Sequence, residues 1–247
     1  MPGLYREHVP REESVVSAEV RWHVLPDAAA VAEAAAERIL SAASQAIAAR
    51  GRFRIVLAGG STPRATYRLL RNADTDWRLW EVYFGDERCL PPDHPERNSR
   101  MAQAVWLDHV SVPAGRIHPI PAEQGPEAAA RAYEALVRSV VPFDLVLLGL
   151  GEDGHTASLF PGLEWSQDAW VVAVHGAPKP PPERVSLGPR ALGDSHGVLV
   201  LVTGAGKRAA VEQWRSGADL PVAHVQPATG VDVLLDRAAG ETRCGNR

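Results

Sequence analysis

The sequence predicts a three-layer α/β/α fold with a mostly parallel, Rossmann-like sheet, on three observations. Short strand-like segments recur along the chain, at Ile55–Leu57, Trp80–Phe84, Leu145–Leu148, Val198–Thr203 and Val231–Leu235, and Leu145–Leu148 is an unbroken apolar run of the kind buried on both faces of a parallel sheet. Helical stretches separate them, beginning with an Ala-rich segment that ends at Arg50. No internal repeat and no long linker interrupts the alternation, so all 247 residues are assigned to a single domain, with residues 1–13 as a polar, mobile arm.

Taken in order, Val15–Val24 reads as a first strand, and Asp27 is placed to cap the Ala-rich helix that Gly51 ends. Ile55–Leu57 runs into Gly59-Gly60-Ser61-Thr62-Pro63, where Thr62 suits a helix N-cap and Pro63 the first helical position, ahead of an amphipathic stretch to Arg71. Trp80–Phe84 is followed by a polar loop, Gly85 to Cys89, then by a proline-rich loop to Asn98 and a helix over Met101–Leu107. Ile117–Ile120 reads as a strand, Glu127–Val140 as a helix, and Leu145–Leu148 as a buried strand breaking into Gly149, Gly151 and Gly154, with a short helix from Thr156. Val171–Val174 and Val185–Leu187 are further strands, joined across a stiff connector at Pro178–Pro182. Val198–Thr203 leads into Gly204-Ala205-Gly206-Lys207, which opens a helix through Trp214, and Val231–Leu235 is the last strand.

The composition is that of an ordinary globular domain, 45% hydrophobic and 23% charged, and excludes collagen, coiled-coil and disordered classes. The net charge of −4 provides no basic field for nucleic acid, so attraction of an anion has to be local. The two cysteines, Cys89 and Cys244, stand far apart and in no metal or C-x-x-C spacing, which favours a reduced compartment. Charges near the N-terminus and the lack of any membrane-length apolar run lead to the expectation of a cytoplasmic protein.

The candidate chemistry lies in loops that follow buried strands, which open α/β sheets bring together at one edge. His155 sits in a Gly-rich turn with Glu152 and Asp153 beside it, a natural setting for a general base. The same turn fits G-x-G-x-x-G, but Glu152 and Asp153 would meet a pyrophosphate with like charge, and Val171–Val174 ends at His175-Gly176 where an acidic residue for a ribose is needed. Gly60, Ser61 and Thr62 offer backbone N–H groups and hydroxyls at a helix start, an anion site in composition. Pro63 stands where a nucleophile elbow needs its second glycine, so Ser61 lacks the geometry of an acyl-enzyme serine. The loop ending at Lys207 lacks the first glycine and the Ser or Thr of a Walker sequence, which leaves Lys207 as a single charge for a phosphate, with Arg184 as a possible second cation. Asp86, Glu87 and Arg88 share one loop, where salt bridging between neighbours is the preferred account of Glu87. No ligand spacing implies a metal, and no cofactor is expected.

The segments LAGGSTPRATYRLL, VYFGDERCLPPDHPERNSRMA, FDLVLLGLGEDGHTASLFPG, KPPPERVSL and LVTGAGK, spanning about Ile55 to Trp214, resemble the 6-phosphogluconolactonases, in the superfamily that also holds glucosamine-6-phosphate deaminase and ribose-5-phosphate isomerase. The resemblance implies hydrolysis of 6-phospho-D-glucono-1,5-lactone to 6-phosphogluconate by a monomer, its only partner being the small sugar-phosphate lactone, without nucleic acid, membrane, cofactor or metal. It implies His155 as the base that activates water and Asp153 as the residue that orients its ring. By the same resemblance Asp86 and Arg88 contact the sugar and the carbonyl oxygen, and Gly60, Ser61, Thr62, Arg184 and Lys207 hold the 6-phosphate. The family's Leu-Pro pair after the RVSL segment is replaced here by Gly188-Pro189-Arg190, so a local difference is expected there. Two rivals are a deaminase or isomerase of the same superfamily, against which Arg88 in the GDERC segment speaks, and a sugar-phosphate sensor. The sensor lacks room for a helix-turn-helix before the first strand.

Overall fold

The computed structural model describes residues 18–241; the predicted arm at 1–13, the start of the first strand at 15–17 and Cys244 lie outside them. In chain order the elements are β1 Val20–Leu25, α1 Ala28–Arg50, β2 Phe53–Leu57, α2 Ser61–Leu70, β3 Trp80–Phe84, β4 Asp86–Arg88, α3 Asn98–Val105, β5 Ile117–His118, α4 Pro126–Val140 and β6 Leu145–Gly149. They continue as β7 Val171–Val174, β8 Arg184–Leu187, α5 Pro189–Gly193, β9 Val198–Val202, α6 Arg208–Arg215, β10 Val231–Asp236 and α7 Arg237–Gly240.

Seven strands form one parallel sheet in the order β1-β10-β9-β6-β2-β3-β5, the middle layer of a three-layer α/β/α fold. From β2 the chain winds outward through β3 to β5, then returns to the other side of β2 and winds outward again through β6, β9 and β10. The strand order therefore reverses between β2 and β6. At such a switch point the two connections leave in opposite directions and open a crevice beyond the carboxyl ends of the strands. The segments leaving β2 and β6 are the GGSTP and GEDGH loops.

The residues of α1 show why it forms and where it lies. The Asp27 carboxylate accepts from the Ala30 N–H, and Gly51, at φ 71°, closes the helix with its N–H on the Ile47 carbonyl. Between these caps, Val31, Ala35, Ile39, Ala43 and Ala46 recur every three or four residues and are buried. Small side chains on that stripe let the helix approach β2, β9 and β10 closely. Around β2 and β3, Phe53, Trp80 and Trp106 are fully buried and in edge contact, Trp80 with both of the others. Burying an aromatic side chain of this kind stabilises by roughly 1.5–3 kcal/mol.

Several local expectations are corrected. The polar residues Asp86–Arg88 form strand β4, which with β8 and β7 makes a separate three-stranded antiparallel sheet, so Val171–Val174 is not part of the parallel layer. The predicted helix from Thr156 is a tight turn, with Thr156 and Leu159 exchanging backbone hydrogen bonds and Ala157 at φ 48°. Four residues are too few to repay helix nucleation, so turn pairing wins. Helix α2 starts at Ser61, and its N-cap is Gly60 at φ 104° rather than Thr62, which leaves Pro63 third in the helix. Of the glycines at 149, 151 and 154, Gly154 alone has positive φ. Glu87 is fully buried and pairs with Arg97, not with its neighbour Arg88, and its two oxygens accept the Asn98 and Ser99 N–H groups that open α3. At the Gly188 departure, a Cβ would lie 2.1 Å from the Ala169 carbonyl oxygen, so the close approach of two backbones accounts for the glycine, and Pro189 opens α5.

Two buried tyrosines fix strand ends beside the crevice. The Tyr67 hydroxyl donates to the Ala58 carbonyl at 2.8 Å and accepts from the Ala58 N–H at 3.0 Å, while the Tyr133 hydroxyl does the same at Phe84. Replacing Tyr67→Phe strips the Ala58 backbone of both partners, with an expected loss of about 1–3 kcal/mol in urea unfolding at unchanged m. A loss below about 0.5 kcal/mol would show that water satisfies Ala58 equally well.

Candidate active site

The loops after β2, β6 and β9, together with β4 and β8, enclose one cleft at the carboxyl edge of the parallel sheet. Gly60, Ser61, Thr62, Asp86, Arg88, His155, Arg184 and Lys207 all line it; Asp153 alone of the predicted residues stands behind the wall, next to His155. Residues from five loops and strands, spread from position 60 to 207, are thus brought together.

At one side of the cleft His155 Nδ1 is 2.5 Å from Asp153 Oδ1. A carboxylate accepts and does not donate, so Nδ1 carries the proton and the Nε2 lone pair is left available. Gly151 makes the arrangement possible: a Cβ there would lie 2.0 Å from His155 Nδ1 and 2.4 Å from Asp153 Oδ1. Phe160 packs on the imidazole with ring centroids 4.6 Å apart. Burial pushes the His155 pKa below its ordinary value, against the opposing hydrogen bond and charge of Asp153, while Lys179 adds to the lowering. Burial would raise Asp153, but the His155 hydrogen bond and the charges of His155 and Lys179 outweigh it and hold the carboxyl low.

The cleft also holds cations that burial has deprived of water, and Arg184 shares the Phe160 ring with His155, its guanidinium carbon 5.5 Å from the ring centre. Arg184 is 5% exposed, and its donors go to carbonyls: Nε to Pro181 at 3.0 Å, Nη2 to Lys179 at 2.9 Å and to Pro180 at 3.2 Å. Burial lowers the pKa of Arg184 and of Lys207, with Asp86 and Glu152 respectively opposing. Neither forms an ion pair with a described residue, whereas Arg21, Arg50, Arg54 and Arg97 elsewhere in the chain do. A cation that is half-desolvated and has no counter-charge gains from an arriving anion. Gly60 turns the chain so that the head of α2, with the N–H groups of Ser61 and Thr62 free of intrahelical partners, faces the same space.

Asp86, in the same cleft, is buried with Oδ1 accepting from Asn98 Nδ2 at 3.0 Å and Oδ2 from Ser158 Oγ at 2.6 Å. Arg88 donates from Nη1 to the Glu96 carbonyl, and its Nε is buried without a partner.

Other residues that hold the site carry no local sequence signal. Asn98 ties α3 to β4 and lies so close that a Cβ on Gly59 would meet its amide at 2.1 Å. Thr203 joins the β9 loop to the β2 loop through Thr62 at 2.6 Å, and Asp236 pins Gly204 by accepting its N–H at 2.9 Å. Among the described residues no group of three or more His, Cys, Asp or Glu side chains is placed to hold a metal, and no helix is long and apolar enough to cross a membrane.

An anion-accepting cleft with a carboxylate-held histidine, set at the switch point of a parallel sheet, defines an α/β enzyme of small anionic substrates. Residues 26–234 match the family described as glucosamine-6-phosphate isomerases/6-phosphogluconolactonase, and the chain belongs to it. It is 39% identical over 237 residues to the 6-phosphogluconolactonase of Mycobacterium tuberculosis, covering 87% of this chain and 95% of that one. A Nostoc 6-phosphogluconolactonase is 36% identical over 232 residues, with coverage of 88% and 95%. The crystal structure of 6-phosphogluconolactonase from Thermotoga maritima superposes with a TM-score of 0.81 at 28% identity, over 88% of this chain and 100% of that one.

Because burial favours the neutral imidazole, His155 should titrate below about 6.5 when followed by NMR. The unfolded chain then takes up this proton first, so His155 removes stability as pH falls through that interval and not above it. A midpoint above 6.5 would mean that Asp153 outweighs burial.

Proposed function

We propose that the protein hydrolyses 6-phospho-D-glucono-1,5-lactone to 6-phospho-D-gluconate, the second step of the oxidative pentose phosphate pathway, in the cytoplasm. The observation that carries this is one cleft holding both cations without an ion-pair partner and a neutral histidine with a free Nε2, in a chain of this family. A sugar phosphate spans such a cleft with its phosphate at Arg184, Lys207 and the Gly60-Ser61-Thr62 head of α2, and its lactone carbonyl toward His155.

His155 Nε2 takes a proton from a water molecule as the water oxygen bonds to the carbonyl carbon. Asp153 keeps the imidazole in the tautomer that allows this and stabilises the imidazolium that results. The carbonyl oxygen becomes an oxyanion, with Arg88 as the cation on this side, while Asp86, fixed by Asn98 and Ser158, accepts from sugar hydroxyls through its remaining lone pairs. Collapse re-forms the carbonyl and breaks the bond to the ring oxygen, which receives the proton from imidazolium. The carboxylic acid so formed ionises, leaving gluconate and one proton per turnover.

Replacing His155→Asn should lower kcat by about 10² to 10⁴ while product binding stays within a few-fold, because the phosphate side is untouched. Acid release from fresh lactone, corrected for spontaneous hydrolysis, measures it; a variant keeping more than half of wild-type kcat would remove His155 as the base. Lys207→Ala should reduce kcat/KM for the phosphorylated lactone by about 10- to 200-fold, the equivalent of one charge-assisted hydrogen bond of about 1.5–3 kcal/mol, and leave plain gluconolactone nearly unchanged. Equal fractional losses on the two lactones would take Lys207 out of the phosphate site.

A further inference from the structure

A charged side chain reaches the Asp153–His155 pair from a third part of the chain. Lys179 belongs to the connector between β7 and β8, and its Nζ lies 3.5 Å from Asp153 Oδ1, the oxygen that also receives the His155 Nδ1 proton. Pro178, Pro180, Pro181 and Pro182 surround it and remove backbone freedom. Its own carbonyl accepts from Arg184 Nη2, so the arginine of the anion side fixes the segment that presents the ammonium.

We propose that Lys179 is a positioning residue for the catalytic pair, its ammonium gripping the Asp153 carboxylate at the oxygen it shares with the imidazole; this rests on His155 being the base. An ammonium on the shared oxygen restrains rotation of the carboxylate, so the acceptor stays in line with Nδ1. It also divides the attraction of that carboxylate between two cations and repels the imidazolium directly. Both effects oppose protonation of His155.

The charges that face His155 set the scale. Asp153 on its own turn and Asp86 on β4 favour imidazolium, and Lys179 opposes them. Arg88, Arg184 and Lys207 line the same cleft, and Glu152 lies against Gly206 in the Lys207 loop. Lys179 and Asp153 keep 47% and 36% of their side-chain surface, so the contact between them is a screened one and contributes little to folding. Its effect is therefore to be sought in the titration of the neighbour.

The test compares Lys179→Met and Lys179→Arg with wild type, following both the NMR titration of His155 and the acid limb of kcat/KM. Lys179→Met should raise the His155 midpoint by a few tenths and at most about 0.7 of a pH unit, and the acid limb should move with it. Lys179→Arg should restore the wild-type midpoint. Molar salt should bring wild type toward the Met variant, because an exposed pair is screened. An unchanged midpoint in Lys179→Met, or a fall in kcat/KM that is uniform with pH, overturns the proposal. A midpoint that moves while the acid limb stays fixed supports the coupling of Lys179 to the pair and strikes His155 as the base.

Discussion

Where a parallel strand runs out, its last N–H and C=O groups lose their ladder partners, and a buried end has to be satisfied by something other than water. All four strand ends around the cleft meet this requirement with a side chain from another part of the fold. Tyr67 from α2 serves β2 at Ala58, Tyr133 from α4 serves β3 at Phe84, Thr156 Oγ donates to the Gly149 carbonyl at the end of β6, and Asp236 accepts from Gly204 beyond β9. The loops that carry the chemistry therefore leave from points that are fixed in space. A histidine held by a carboxylate and a helix head beside unpaired cations can sit on glycine-rich segments without losing their mutual placement.

The electrostatic pattern follows from the same economy of partners. In a chain of net charge −4, other deeply placed arginines are matched by carboxylates, as Arg97 is by Glu87 and Glu123 and Arg54 by Glu81. The cleft departs from that pattern, with Arg184 held by three backbone carbonyls and Lys207 beside an exposed loop. Carbonyl dipoles orient a guanidinium without neutralising it, so the positive field is preserved where it is used. Local charge then does what net charge cannot.

The parallel sheet was legible in the sequence because its central strands β6 and β9 are buried on both faces and read as unbroken apolar runs, Val198–Val202 above all. The α1 caps at Asp27 and Gly51 were legible because caps are local chemistry. Strand β4 was not: Asp86-Glu87-Arg88 looks like a solvated loop, and its burial depends on Asn98, Ser158 and Arg97, which lie well beyond any local window. The turn at Thr156 was hidden for the opposite reason: its partner, Leu159, is only three residues on, and a composition suited to a short helix does not show that the two backbones pair as a tight hairpin. For the site, the loops that line the cleft could be picked out one by one, but the residues that hold them, Asn98, Thr203, Lys179 and Asp236, have no signature of their own. Their role exists only once distant segments meet.

Gly151 shows what this crowding means for the gene. A single base change can turn any glycine codon into one for alanine, and a lone methyl group at 151 would occupy the space in which Asp153 and His155 touch. The position tolerates no step, however small, while the exposed Glu152 beside it is free of that constraint. Two adjacent codons of this loop therefore work under different steric constraints, and the contact between the histidine and Asp153 depends on a residue that has no side chain at all.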